Sequence, residues 1–379
     1  MQPKRGPQVS VNQTLGAAQS GDTDGRPKIL FLSHTVDGGD FRVGSHHLAR
    51  ELSLIGCRVA HVSTPLSLLH LLARRGEKRR RDLALGRGVV DEFGTLHSVP
   101  LFPFPLRLSA NRRGLRRHIE RIGFWKSDYI LIDQPLMSGV LDEHPPGLAV
   151  YRPTDEYPEG IASRRQLRLL KNVVAVVATS QTVLQALHLG AATPQLVLEN
   201  GVEFSRFAAP QSRGARSGLV YAGALDHRFD WPLVIALAEA FPEESVRLIG
   251  PLKSVHPELP SNVILTGPLD YSVLSSELNS AVVGILPFNS AVENAGRSPM
   301  KFYEYLAAGL HVVAPATATL SGRTESGALM YSSTAEAIAA VRQALALPSP
   351  NEPGIAHARE RDWSGKARQL LTFLEALRG

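Results

Sequence analysis

Ser298-Pro299-Met300-Lys301-Phe302-Tyr303-Glu304-Tyr305-Leu306-Ala307-Ala308-Gly309 is the stretch whose reading decides the fold. Ser298 is a good N-cap, Pro299 suits the first helical position and Gly309 suits the position just past a helix end, so the stretch predicts a helix of about three turns. An apolar run precedes it, Val282-Val283-Gly284-Ile285-Leu286-Pro287-Phe288, and another follows, His311-Val312-Val313-Ala314-Pro315. Both read as buried strands of a parallel sheet. In such a strand-helix-strand unit the helix N-terminus faces the carboxyl ends of the strands, where ligands bind in open α/β sheets, and its free N–H groups favour an anion. Lys301 and Glu304 are three apart and share one face. A cation near an anion and a carboxylate one turn deeper suit a diphosphate with a ribose behind it.

Working outward, the same alternation fills the chain. Upstream in the same half, strands are predicted at 218–222, 245–249 and 263–266 and helices at 231–241 and 271–280. Three of these strands end at Gly223, Gly250 and Gly267. Each glycine is open to a plain turn reading; together they favour close backbone approach by a nucleotide. Downstream come one helix after 333, a Pro-rich break at 348–353 and a last helix from about Ser364 to Leu377. The other half opens on the strand Lys28–His34, a loop with Gly38 and Gly39, a helix over 46–54 and a strand over 58–63. This βαβ start lacks the full G-x-G-x-x-G spacing, and the glycines either admit a ligand or make a turn. Leu66 to Arg75 has helical apolar spacing, and Arg107 to Ile122 reads as a basic helix. Strands at 128–133 and 148–151 lead to Arg152-Pro153-Thr154-Asp155-Glu156, acidic residues at a strand's carboxyl end. A helix over 159–171, a strand over 173–179, a helix over 180–189 and a strand over 196–198 complete this half.

The 379 residues are long for one domain and fit two of about 190 each. The expected division is a disordered tail over 1–26, a first domain over 27–203, a linker over 204–217, a second domain over 218–357, and a C-terminal helix over 358–379 packing back toward the first domain. The composition, 44% hydrophobic and 20% charged, is that of a globular protein. No apolar run reaches the roughly 20 residues of a membrane span, and the tail has no signal-peptide core, so a cytoplasmic chain is expected. Cys57, the one cysteine, excludes an intrachain disulfide and cysteine zinc clusters. His46 and His47 lack an i,i+4 partner, and no metal site is expected.

Net charge is +6 and the excess is uneven. Arg74, Arg75, Lys78, Arg79, Arg80 and Arg81 form one cluster, and Arg107, Arg112, Arg113, Arg116, Arg117 and Arg121 another. With the apolar spacing at 66–75 they suit an anionic membrane surface; the plain alternative is solvated helix faces. Few aromatic residues lie in the clusters, which argues against nucleic acid.

These pieces resemble the GT-B glycosyltransferases, whose α/β architecture is two Rossmann-like doubly wound parallel-sheet domains with a cleft between them. Ser298 to Gly309 is similar to the group 1 nucleotide-sugar motif. More narrowly, Leu32-Ser33-His34 with Asp40-Phe41-Arg42, Tyr151-Arg152-Pro153-Thr154-Asp155, Asn200-Gly201-Val202, Gly284-Ile285-Leu286-Pro287-Phe288 and Ser298 to Lys301 resemble the bacterial xanthan-type β-glucuronosyltransferases, in the same order. The resemblance implies transfer from a UDP-sugar, with glucuronic acid as the suggested sugar, to a lipid-linked saccharide on the inner face of the cell membrane, without a metal. It makes Asp155 the general base, with Glu156 as the alternative, and puts Lys301 on the diphosphate, Met300 by the base and Phe288 at the nucleotide. Gly223, Gly250 and Ser298 join that site, and Glu304 matches the broader group's ribose ligand. His34, Gly38, Gly39, Arg42, Arg152 and Glu156 are the expected acceptor-side residues. Many retaining group 1 enzymes carry a glutamate where this chain has Gly296, and Glu293 is at the wrong spacing; inversion is therefore expected. The rival reading is a non-catalytic basic binding protein on the same scaffold.

Overall fold

The computed structural model describes residues 25–37, 42–72, 78–86, 88–104, 112–157, 159–208, 215–291, 294 and 300–379. Gly38, Gly39, Glu293, Gly296 and Ser298, singled out above, and the 1–24 part of the expected tail lie outside the described residues. By its internal contacts the chain divides into one unit of Met1–Tyr151 with Glu159–Val174 and a second of Arg152–Pro158 with Ala175–Gly379.

In the first unit, β1 (Lys28–Ser33), α1 (Gly44–Leu54) and β2 (Arg58–Ser63) form the expected opening βαβ. There follow β3 (Leu66–Ser67), α2 (Leu68–Leu72), α3 (Lys78–Leu85), β4 (Val89–Val90), β5 (Leu96–Ser98), β6 (Leu101–Phe102), α4 (Arg112–Arg121), β7 (Tyr129–Ile132), β8 (Leu148–Tyr151) and α5 (Gly160–Leu170). The strand order is β8-β7-β1-β2-β5-β4, parallel except for β4 against β5, with β3 and β6 paired separately. Lys-Ile-Leu-Phe-Leu-Ser of β1 is buried along its whole length, as a central parallel strand covered on both faces requires. Leu66 and Ser67, expected to start a helix, instead pair with Leu101 and Phe102. A 3-10 segment over Pro135–Glu143, capped by Gln134 accepting from the Leu136 N–H, was not legible as an element.

The second unit holds β9 (Ala175–Ala178), α6 (Gln181–Gln185), β10 (Gln195–Val197), α7 (Phe204–Phe207), β11 (Leu219–Ala222), α8 (Trp231–Ala240), β12 (Val246–Ile249), β13 (Val263–Gly267), α9 (Tyr271–Asn279), β14 (Val283–Ile285), α10 (Met300–Ala307), β15 (His311–Pro315), β16 (Ala328–Tyr331), α11 (Thr334–Ala346), α12 (Glu352–Arg359) and α13 (Trp363–Ala376). Its main sheet is parallel throughout, in the order β13-β12-β11-β14-β15-β16. One core packs α8 and α11 onto one face of that sheet, and another packs α10 onto the opposite face with Val202 and Phe207. Phe204–Phe207, expected within a linker, is thus a helical turn anchored by a fully buried Phe207. The 363–376 helix is tied to the 202–204 segment: the Val202 N–H donates to Arg361 O and the Trp363 N–H to Val202 O. Among the described residues no helix is long and apolar enough to cross a membrane.

α10 ends as its sequence requires. Gly309 has φ +75, its N–H donates to Leu306 O and the Leu310 N–H to Tyr305 O, each at 2.9 Å, the paired bonds of a Schellman cap.

Candidate active site

The site is built where β11 and β12 end. The Gly223 N–H donates to Ile249 O at 2.8 Å, and the Gly250 N–H to Gly267 O at 2.9 Å. Gly250 has φ +144, and a Cβ there would lie 1.9 Å from the Gly223 carbonyl oxygen, so the two backbones meet at a distance only glycine allows. A Cβ on Gly223 would lie 2.5 Å from Tyr221 Oη and 2.7 Å from Lys301 Cε. The Lys301 arm therefore crosses the end of β11 and touches bare backbone. Gly267 differs: its φ is +72 and nothing stands within 4 Å of its Cβ position, so it is a turn residue.

α10 is seated on the sheet by Tyr305. Its hydroxyl oxygen accepts the Ala222 N–H at 2.8 Å, and its ring fills the space over Gly284, where a Cβ would lie 2.3 Å from Tyr305 Cδ2. Met300, half-buried, opens the helix. Glu304, one turn beyond Lys301, is buried at 6% exposure; burial raises its pKa, the Lys301 charge opposes that, and the Glu203 carboxylate adds to it. Phe288 is partly buried against both cores, and its backbone bridges to Phe229.

Asp155 is exposed, and Thr154 Oγ1 donates to its Oδ2 at 3.0 Å. Arg228, in the loop after β11, donates through Nε to Asp226 Oδ1 at 3.1 Å and through Nη2 to Oδ2. The hydrogen bond to Asp226 raises the Arg228 pKa, and the Asp155 and Tyr221 charges add to it. Tyr221, Gly223 and Lys301 thus form one run of neighbours at the end of β11, and the Asp155 charge is felt at Arg228. Glu156 is half-buried beside Asp155. Arg152, expected at the acceptor, is 1% exposed, its side chain inside the packing. In the first unit, half-buried His34 accepts from Thr64 Oγ1 through its carbonyl at 3.2 Å, and Arg42 pairs with Asp37 at 3.4 Å.

Sequence reasoning passed over Arg228, Glu199, Glu203 and Arg323. Arg323 donates to Glu199 at 2.7 Å and to the Tyr303 hydroxyl, locking the first turn of α10 from its other side. Asp226 with Arg228, Glu203 with Arg206 and Arg323 with Glu325 carried a local signal, a carboxylate and a guanidinium two or three apart, whereas Glu199 and Arg323 are 124 positions apart. Among the described residues, Asp37, Asp91 and His97 bring possible ligand atoms within 4.8 Å of one another. There His97 Nε2 lies 2.9 Å from Asp91 and Arg42 already faces Asp37.

Solved structures match this architecture across the chain. Sucrose-phosphate synthase from Thermosynechococcus elongatus superposes with a TM-score of 0.69 at 15% identity, covering 93% of this chain and 99% of that one. Anabaena Alr3699/HepE in complex with UDP-glucose gives 0.68 at 16%, covering 92% and 99%. The fold is GT-B. A glycosyltransferase from Rickettsia africae ESF-5 gives 0.67 at 13%, covering 93% and 99%. In sequence, a Bacillus subtilis (strain 168) protein assigned to teichuronic acid biosynthesis as glycosyltransferase TuaH is 30% identical over 131 residues, 31% of this chain. The match spans 33% of that protein's length. No family model matches the chain. At these identities the structures establish the GT-B fold, and the site's chemistry has to be argued from its own residues.

Proposed function

We propose that this chain is an inverting glycosyltransferase that moves a sugar from a UDP-sugar to a lipid-linked saccharide on the cytoplasmic face of the membrane, in polysaccharide synthesis. The observation that carries the reading is the Lys301 arm lying on the bare Gly223 backbone at the end of β11, with buried Glu304 one turn deeper. A strand end without a side chain lets a diphosphate approach, the ammonium meets its charge, and a carboxylate at that depth suits a ribose hydroxyl pair. The UDP and UDP-glucose complexes of HepE support a uridine donor, and the teichuronic acid assignment of TuaH supports a polysaccharide product. The resemblance to xanthan-type enzymes points to glucuronic acid.

In this reaction Asp155 takes the proton of the acceptor hydroxyl, the oxygen attacks the anomeric carbon from the face opposite UDP, and the bond from that carbon to the diphosphate breaks. Lys301 stabilises the charge left on UDP, and no metal takes part. Transfer measured with UDP-glucuronic acid, UDP-glucose, GDP- and ADP-sugars, with and without a chelator, tests the donor and the metal. Asp155→Asn lowers turnover about 10²- to 10⁴-fold and leaves UDP affinity within about threefold; a variant keeping about a tenth of the rate or more, a loss well below a general base's smallest usual effect, removes Asp155 as base. Glu304, which matches the broader group, favours a second reading as a retaining enzyme; the anomeric configuration of the product by NMR separates the two. Thermal stabilisation by an oligonucleotide and not by UDP establishes the binding-protein reading instead.

A further inference from the structure

We propose that one stripe of α5 is a binding site for an acidic saccharide, with Arg164, Arg165 and Arg168 holding its carboxylates and Ile161 meeting a sugar ring. The proposal deepens the saccharide acceptor of the function above, on which it rests, by giving that acceptor a charge.

The register of α5 is set from inside. The Tyr151 hydroxyl at the end of β8 donates to Gln166 Oε1 at 2.7 Å, and Gln166 and Leu169 are the buried residues of the helix. Positions 161, 164, 165 and 168 follow the spacing i, i+3, i+4, i+7, so their side chains share one stripe. Arg165, half-buried, borders the buried pair, while Ile161, Arg164 and Arg168 are exposed. The four side chains line an open cavity of about 330 Å³, at the lower end of the range that small-molecule sites occupy.

The cations of α5 differ from those of the other basic helices in having no counter-charge. On α3 Lys78 pairs with Asp82 at 3.2 Å, and on α4 Arg116 meets Glu120 at 2.8 Å and Glu143 at 3.5 Å. α5 has no acidic residue of its own, and none of its three arginines makes an ion pair or a side-chain hydrogen bond among the described residues. Three uncompensated guanidinium groups attract a ligand that carries more than one negative charge, and each planar fork matches a carboxylate bidentately, as a lysine does not. All three cations of the stripe are arginines. Arg164 and Arg168 stand one helical turn apart, about 6 Å along the axis, with an isoleucine beside them. Cations spread over a turn next to an apolar side chain suit charges distributed along a saccharide, whose rings have an apolar C–H face. The acyl chains of a bilayer would find one apolar side chain in this stripe, and the bases of a nucleic acid no aromatic one.

The test is calorimetric titration of the full chain with hexagalacturonate, with neutral maltohexaose and inorganic pyrophosphate as the rival probes. Hexagalacturonate binds, less tightly as salt is raised from about 50 to 500 mM, and maltohexaose does not. Arg164→Gln with Arg168→Gln lowers hexagalacturonate affinity about tenfold or more, the loss of a charge-assisted contact, with unchanged melting temperature because both side chains are exposed. Arg113→Gln with Arg117→Gln removes the same charge from exposed positions of α4 and leaves that affinity within about twofold. An equal loss in the two variants means attraction by net charge and overturns the proposal. Wild-type affinity of the α5 variant, or maltohexaose binding as tight as hexagalacturonate, overturns it too. So does tighter binding of pyrophosphate, of vesicles with about 30% phosphatidylglycerol or of an RNA oligonucleotide that the α5 variant loses. UDP-induced thermal shift keeps the two readings apart. UDP stabilisation without hexagalacturonate binding removes the saccharide stripe alone, and hexagalacturonate binding without UDP stabilisation removes the donor site alone.

Discussion

Gly223→Ala tests the arrangement on which the donor site rests. The new methyl would stand 2.5 Å from Tyr221 Oη, 2.8 Å from Tyr221 Cζ and 2.7 Å from Lys301 Cε, so something has to move. Tyr221 resists: it is 4% exposed, its ring is tilted against Phe229 with centroids 5.0 Å apart, and it donates its hydroxyl to Ala224 O at 3.2 Å. Displacing such a ring costs about 1–3 kcal/mol, as overpacking does. Lys301 resists little, because its end is flexible, and its ammonium swings away from the strand end. Losing a charge-assisted contact of about 1.5–3 kcal/mol lowers UDP affinity about 10- to 150-fold. Denaturant unfolding and UDP calorimetry at constant salt measure the two effects separately. The decisive comparison is the same substitution in a Lys301→Ala background, where the stability cost persists but no further UDP affinity is lost. If Gly223→Ala binds UDP within about twofold of wild type, a coupling too small to carry a contact, or if it costs as much again without the lysine, then Lys301 does not hold the diphosphate.

Gly250→Ala sets a methyl 1.9 Å from the Gly223 carbonyl oxygen at φ +144, backbone against backbone, and costs about 3 kcal/mol or more by thermal or denaturant melting. His118 is held neutral, its pKa lowered to about 4 by burial first and the Arg121 charge second; Arg121 donates to its Nδ1 and its Nε2–H to Ser98 Oγ. The unfolded histidine takes a proton near 6.5 and the folded one does not, so its contribution is full above 6.5 and is lost as pH falls toward 4. His118→Gln flattens the stability curve in that window by up to about 3 kcal/mol. Glu304 has the opposite sign: burial raises its pKa, so the folded state holds its proton longer and wild type loses stability as pH rises from 4.5. Glu304→Gln therefore gains on wild type above that pH, and a gap independent of pH between the two melting curves refutes a buried, reluctant carboxylate.

The elements that were legible share one property: their signal is local and strong. Buried parallel strands such as β1, β7, β11 and β15 are continuous apolar runs, and the end of α10 is written in Gly309. What was missed has weaker or misleading local chemistry. The break expected at 348–353 contains the start of α12, because Asn351 caps it, accepting the Gly354 N–H at 3.0 Å, and a proline in a first turn begins a helix as readily as it ends one. The helix expected to run to 189 stops at Gln185, and His188 follows with φ +49, outside helical geometry. β16, Ala-Leu-Met-Tyr, has no period of its own and exists because β15 lies beside it.

The chain's sequence by itself determined the alternation of strands and helices, the α10 unit with Lys301 and Glu304 on one face, and the glycines at the strand ends. Those are properties of neighbours within a few residues, where steric rules and helical spacing act. Tertiary structure decided which two of three similar glycines are crowded, that Lys301 reaches across to Gly223, and that Arg152 is sealed inside. Each depends on the distance between segments tens to hundreds of positions apart, which is set by how sheet and helices pack and leaves no mark on the local pattern of residues.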